Sequence, residues 1–142
     1  MKKNLFFPIA GFLIWAVLLT SCDSNTPTSV TKAFLSAFAE YDYEGMADCL
    51  YLDIKDGDDV DKAKKKAADG LQFMFGLASA FGEELPEVKD FKVGAETISE
   101  DGETATVEYT VTAVYDGEEE TSEEELELRK DSNGDWKVLL LD

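Results

Sequence analysis

The sequence predicts one α+β domain, with about three helices at its N-terminal side and a four-stranded antiparallel meander after them. Apolar residues recur at helical spacing before Pro86 and alternate with polar residues after it. The length of 142 residues fits a single domain. A formal net charge of −18 argues against a nucleic-acid surface, and the lack of histidine excludes a Ser-His-Asp triad or a Cys-His pair.

Two helices are predicted before residue 50. Apolar residues between positions 30 and 41 form one stripe at helical period, and Thr26 supplies an N-cap in front of Pro27 at N1. Asp42 is expected to cap a second helix, because its carboxylate can accept hydrogen bonds from the free N–H groups that follow it.

The third helix is predicted over residues 60–81. Phe73 and Phe75 widen its apolar stripe, so we expect this helix to be covered on two sides. Its predicted buried face comprises Ala63, Ala67, Leu71, Met74, Leu77, Ala78 and Phe81.

Three turn dipeptides divide the second half of the chain into four strands. They are Asp101-Gly102, Asp116-Gly117 and Asn133-Gly134, which are typical of tight hairpins. Between them, apolar residues alternate with Thr, Glu and Lys. One face of the sheet is therefore apolar, and the helices are expected to cover it.

The N-terminal residues predict export. Lys2 and Lys3 precede an uncharged apolar run, which is the layout of a signal peptide. The run ends in Leu19-Thr20-Ser21-Cys22, which resembles the lipobox of bacterial lipoproteins. That resemblance implies cleavage before Cys22, acylation of this cysteine, and attachment of the protein to a membrane of the bacterial cell envelope. The alternative is an uncleaved signal anchor, since about 20 apolar residues span a bilayer.

The domain boundaries follow from this layout. Residues 1–21 are expected to be the lipoprotein signal peptide, residues 22–29 the lipidated cysteine and a short tether, and residues 30–142 the folded domain. The inner or outer membrane, the leaflet, and whether the domain faces the periplasm or the cell surface are left open.

Residues 26–141 resemble a known group of exported proteins. Thr26-Pro27, Ala33-Phe34, Phe38-Ala39 and the run 41–44 (Tyr-Asp-Tyr-Glu) are similar to small bacterial lipoproteins of the DUF4878 type, with an NTF2-like (cystatin-like) domain. The resemblance implies helices packed into a curved sheet that forms a cone. It implies no established activity, and dimers of such domains often form through the sheet face, so a homodimer is left open.

Within such a cone, five aromatic residues are candidates for a ligand pocket. Aromatic rings with hydroxyl tips suit a small apolar ligand, and they suit a filled core equally well. The candidates are Phe34, Phe38, Tyr109, Tyr115 and Trp136.

The charged runs have simpler interpretations than binding sites. Among the aspartates at positions 53–61, Asp58 or Asp59 is expected to cap the third helix. Calcium binding is not expected, because the order of these residues does not match an EF-hand. The lysines at positions 62 and 64–66 are expected to pair with neighbouring aspartates, and the alternative is contact with anionic lipid headgroups. The glutamates at 118–125 either protect a sheet edge or dock a basic partner. We expect no metal and no cofactor.

The sequence therefore predicts a lipid-anchored envelope protein that binds a small apolar ligand or a partner protein without catalysis. Cys49 is expected to be a buried, inert thiol. One alternative is an NTF2-like enzyme with a pocket Asp/Tyr pair, such as Asp48 near Tyr51 or Tyr109. The other is a purely structural or interaction lipoprotein.

Overall fold

The computed structural model describes residues 25–140, in which three helices precede four strands. The helices are α1 (Pro27–Ala39), α2 (Tyr43–Cys49) and α3 (Val60–Ala80). The predicted leader and the lipidation site at Cys22 lie outside the described residues.

The four strands form one antiparallel meander in the order β1-β2-β3-β4. They are β1 (Glu87–Ile98), β2 (Thr104–Tyr115), β3 (Glu118–Lys130) and β4 (Trp136–Val138). Each connection contains one of the three predicted turn glycines, and all three have positive φ angles between 74° and 81°. The predicted α+β architecture is confirmed.

Each helix begins at a capping side chain that the sequence predicted. Thr26 accepts a hydrogen bond from the backbone N–H of Ser29, and Pro27 occupies the first helical position. Asp42 and Asp59 cap α2 and α3 in the same way. Because α1 already begins at Pro27, residues 27–29 of the predicted tether belong to the helix.

The core lies between α1, α2 and the apolar face of the sheet. Val107 and Val138 have no exposed area, and Leu128 is 1% exposed. The backbone N–H of Tyr51 donates to the carbonyl of Val138 at 2.7 Å, so the end of α2 is joined to β4. Helix α1 packs across β1, β2 and β4.

A bulge in β1 changes the predicted alternation of that strand. The register shifts between Val93 and Glu96, so that Glu96 rather than Ala95 lies opposite Val107. Regular alternation would place Ala95 on the same face as Phe91 and Val93, but Ala95 is exposed. The Glu96 carboxylate accepts hydrogen bonds from the backbone N–H and hydroxyl of Thr28, at 3.0 and 3.1 Å. The bulge therefore connects the sheet to the start of α1.

The predicted buried face of α3 is wrong for its second half. Ala68 and Leu71 are buried, whereas Phe73 is 70%, Met74 60% and Phe81 80% exposed. Phe73 and Met74 lie on other faces of the helix than the packed residues Ala68, Leu71 and Phe75. For Phe81 the reason is length. Helix α3 packs against α2, which has seven residues and is about 10 Å long, while α3 has 21 residues and is about 30 Å long.

Truncating the core at Leu128 tests this architecture. We expect Leu128→Ala to lower the free energy of unfolding by about 3 kcal/mol, because it removes a side chain that is almost fully buried. Urea unfolding followed by circular dichroism measures this change. The control is Leu140→Ala, at a residue that is 46% exposed, for which we expect a loss below about 1 kcal/mol. Equal losses in the two variants would contradict the placement of the core.

Candidate functional site

The exposed side of α3 carries a regular row of apolar and small residues. We call this set the apolar row. Its positions alternate in steps of four and three, which is the spacing of a heptad seam between packed helices. Its members are Ala63, Ala67, Gly70, Met74, Leu77 and Phe81.

The two halves of the apolar row differ in size and in exposure. The first half is small, and Ala63 and Ala67 are half-buried. The second half is large and exposed, from Met74 to Phe81. The sequence from Gly70 to Gly82 contains no charged side chain, although the chain as a whole has a net charge of −18. Contiguous apolar patches on an otherwise charged surface mark interaction sites.

A groove of about 710 Å³ runs beside the small half of the row. One wall is α3, which contributes Lys62, Ala63, Lys66 and Ala67. The other wall is the loop between α2 and α3, which contributes residues 51–54 and 57–59, three of them aspartates. The small side chains of the row therefore leave space that a bulky apolar group can enter.

The opposite face of α3 is fixed to the rest of the domain. Near its start, the Lys64 ammonium pairs with the Asp48 carboxylate at 3.1 Å. Further along, the Phe75 ring lies 5.7 Å from both the Tyr41 and Tyr43 rings, and 6.1 Å from the Phe38 ring. These contacts hold the helix in one orientation, so the exposure of the apolar row is a property of the fold.

Tyr41 occupies a special position in this aromatic cluster. It follows α1 with a φ angle of 54°, in the left-handed region, and its hydroxyl donates to the carbonyl oxygen of Pro86. Burial, followed by the neighbouring tyrosines Tyr43 and Tyr115, raises the pKa of Tyr41. Tyr41 therefore ties the end of α1 to the segment that enters the sheet.

The five predicted pocket residues are found in different environments. Phe34 and Trp136 belong to the buried core cluster, and Phe38 packs against that cluster. Tyr109 is half-buried, and Tyr115 is 45% exposed. That these five residues line a ligand pocket stays a prediction.

Tyr109 does line a depression of about 650 Å³ over the middle of the sheet. Burial, and then the Glu124 carboxylate on the adjacent strand, raises the pKa of Tyr109. The lining is rich in carboxylates, which does not suit an apolar ligand. It is formed by Lys92, Val93, Gly94, Glu108, Tyr109, Thr110, Glu123, Glu124 and Glu125.

The Asp/Tyr pairs considered for catalysis have other partners. The Asp48 carboxylate pairs with Lys64, and the Tyr51 ring lies 5.3 Å from the Arg129 guanidinium carbon. Cys49 is a free, half-buried thiol. Burial raises its pKa, against the opposing effect of Lys137, and this favours the interpretation of an inert cysteine.

The acidic runs mostly serve local structure. The Asp58 carboxylate accepts a hydrogen bond from the backbone N–H of Lys55, and Asp131 accepts from the backbones of Asn133 and Asp135. Lys65 pairs with Asp69 at 3.1 Å, as the sequence suggested. Across residues 25–140, no three acidic or cysteine side chains gather as metal ligands.

The glutamates of β3 lie along an open sheet edge. Strand β3 pairs with β2 along its length, whereas β4 pairs only with residues 128–130. Among the described residues, positions 118–126 therefore have no strand on their second side. Six glutamates lie in this stretch, and charged side chains on an edge discourage pairing with another chain. This arrangement supports the interpretation of edge protection.

Comparison with solved structures identifies the fold as NTF2-like. The chain is similar to a proposed NTF2-like transpeptidase from Campylobacter jejuni, with a TM-score of 0.51 and 19% identity. The alignment covers 82% of this chain and 99% of that chain. A second neighbour is the intermembrane space region of the chloroplast protein ARC6, with a TM-score of 0.40, 17% identity, and coverage of 81% and 94%.

Neither the models of known protein families nor the curated proteins include a match to this chain. The resemblance to DUF4878-type lipoproteins therefore stays a prediction. Within the part of the chain that the structure describes, none of the helices has the length and apolar character needed to cross a bilayer.

Replacing Tyr41 by Phe tests the aromatic cluster. The raised pKa of Tyr41 means that the folded state favours the neutral hydroxyl, so its contribution to stability is complete below pH 10.0 and is lost as the pH rises further. We expect Tyr41→Phe to lower stability by about 1 kcal/mol at pH 7, because the bond to Pro86 is lost. The further loss of stability above about pH 10 should be smaller in Tyr41→Phe than in the wild type, as measured by urea unfolding at each pH. An equally steep alkaline loss in both proteins would contradict the role of Tyr41.

Proposed function

We propose that this protein is a lipid-anchored lipoprotein of the bacterial cell envelope whose NTF2-like domain binds a partner protein without catalysis. The exposed apolar row on α3 is the observation that carries the proposal. It lies on a rigidly held helix and is uncharged in an otherwise strongly acidic chain. Burying such a surface against a partner is favourable at about 25 cal/mol per Å².

A protein partner fits the site better than a small ligand does. Two of the predicted pocket residues, Phe34 and Trp136, fill the core. The apolar row extends over about 27 Å from Ala63 to Phe81, which is the length of a helix rather than of a small molecule. A second helix laid along a row of this kind is a recurring mode of recognition.

The beginning of the domain is consistent with an anchor at Cys22. Asn25, three residues further on, accepts a hydrogen bond from the backbone N–H of Trp136 and donates to its carbonyl oxygen at 3.4 Å. Three residues span at most about 10 Å. A lipid on Cys22 would therefore hold the folded domain next to the membrane surface.

The proposal does not extend to catalysis. The Campylobacter protein carries the description of a transpeptidase, but 19% identity relates the two chains by fold alone. The Asp48 carboxylate is engaged by Lys64, and neither Tyr51 nor Tyr109 is hydrogen-bonded to it in the described structure. No acid–base pair among residues 25–140 gives an enzymatic alternative a specific basis.

The lipid anchor is tested by Cys22→Ser in the full-length chain. We expect the variant to keep its leader and to lack acyl groups, because the serine hydroxyl does not replace the thiol in the thioether. Intact-mass spectrometry of protein purified from membranes measures both properties. The control is Cys49→Ser, which should be processed and acylated like the wild type. An unmodified wild-type chain with its leader intact would overturn the anchor.

The binding surface is tested by photo-cross-linking in intact cells. Benzoylphenylalanine at position 73, beside the apolar row, should give a discrete adduct, because Phe73 is exposed next to the proposed contact. The same probe at Asn133, in the turn before β4, is the control and should give none. Met74→Glu in the probe-bearing chain should reduce the adduct about tenfold, since it places a charge in an apolar contact. An adduct of equal yield from both probe positions, or from the Met74→Glu chain, would overturn the assignment of the surface.

A further inference from the structure

We propose that the partner on the apolar row is a second copy of this chain, bound through an antiparallel, two-fold pair of α3 helices. This inference rests on the proposed function and assigns the chemistry of its partner. A two-fold interface requires a surface that is complementary to itself. Three features of α3 meet this requirement: the order of residue sizes, the position of the groove, and the distribution of charge.

The apolar row is symmetric in spacing and complementary in size. Its six positions are arranged evenly about position 72, with three on each side. When two copies of α3 run antiparallel with the two-fold axis at this level, each large residue meets a small one of the other copy. The pairs are Phe81 with Ala63, Leu77 with Ala67, and Met74 with Gly70.

The groove lies where the large side chains of the second copy would arrive. It has a volume of about 710 Å³ and is bounded by Ala63 and Ala67. In the antiparallel register these residues face Phe81 and Leu77 of the other copy. Placing bulky residues over alanines and glycine lets the two helices approach closely and fills the space that the first half of the row leaves empty.

The two ends of the row carry charges of both signs. Lys62 and Lys66 line the groove together with Asp53, Asp58 and Asp59, while Glu83 and Glu84 follow Phe81 beyond the end of the helix. In the antiparallel register Glu83 of one copy lies at the level of Asp61 of the other. Asp61 lies on the opposite side of the helix from the row. Antiparallel helices also oppose their dipoles, which is favourable.

Charge also disfavours the sheet edge as the meeting point of two copies. A second copy that added a strand at residues 118–126 would bring two rows of glutamates together. The stretch from Gly70 to Gly82 has no charge, so two acidic chains can meet there without direct repulsion between side chains. Asp69 and Glu83 border this stretch, so the contact has a polar rim.

Exchanging sizes within the central pair tests the register. Gly70 has open space around it, since an added Cβ would meet no atom within 4 Å in its own chain. Gly70→Leu should therefore fold, and it should raise the urea midpoint of the folded chain because it removes a helix glycine. It should nevertheless weaken self-association about tenfold, because the larger side chain introduced at position 70 would clash with Met74 of the other copy.

The matched variants complete the test. Met74→Ala should weaken association about tenfold by leaving a void, and Gly70→Leu/Met74→Ala should restore it to within about threefold of the wild type, because each pair again holds one large residue. Sedimentation equilibrium of the purified full-length chain in density-matched detergent measures the monomer–dimer constant. Association of Gly70→Leu equal to the wild type, or no recovery in the double variant, would overturn the antiparallel pair.

The probe at position 73 separates this inference from the proposed function. An adduct of twice the chain mass, reduced in Gly70→Leu and in Met74→Ala and restored in the double variant, supports the proposed function and the second copy as partner. An adduct of a different mass overturns the second copy as partner and leaves the proposed function standing. The absence of any adduct overturns the proposed function and the second copy as partner.

Discussion

The shortness of α2 determines which surfaces this domain buries. Its seven residues lie between the Asp42 cap and Leu50, where the chain turns to pair with β4. Helix α3 is three times longer and packs against α2, so the contact between the helices ends near the aromatic cluster around Phe75. Beyond that point the α3 side chains have no helix beneath them. The exposure of Leu77 and Phe81 follows from this difference in length, whereas Met74, which precedes Phe75, is exposed because it lies on the side of α3 that faces away from the aromatic cluster.

The acidity of the chain has a different effect on each surface. Along the open edge of β3, carboxylates of both sheet faces replace the apolar side chains that would otherwise invite a further strand. The second half of α3 has no charge at all. Two acidic chains repel each other least at an uncharged surface, so the proposed association would be favoured at α3 rather than at β3. The same charge distribution therefore protects one surface and leaves another available.

Local sequence signals predicted most of the fold, because caps and turns act over a few residues. Thr26, Asp42 and Asp59 each cap the helix that follows them, and the turn glycines adopt the positive φ that their hairpins need. The burial of α3 was not predictable in this way. The spacing of its apolar residues shows which of them share a face, but whether that face is covered depends on the length of a different helix. The bulge between Val93 and Glu96 was also missed, although Gly94 lies there and an isolated glycine within a strand pattern often marks a bulge.

A contact between two single helices gains from confinement to a membrane. One helix pair buries less area than the roughly 1,600 Å² of a standard protein interface, so its affinity in free solution is modest. A lipid on Cys22 would restrict every copy to one surface and raise its effective concentration there. It would also keep the tether short, because Asn25 is already bonded to Trp136. A weak, self-complementary helix contact would therefore form most readily when the chain is anchored. The proposed lipid anchor and the proposed pair of α3 helices describe one physical arrangement.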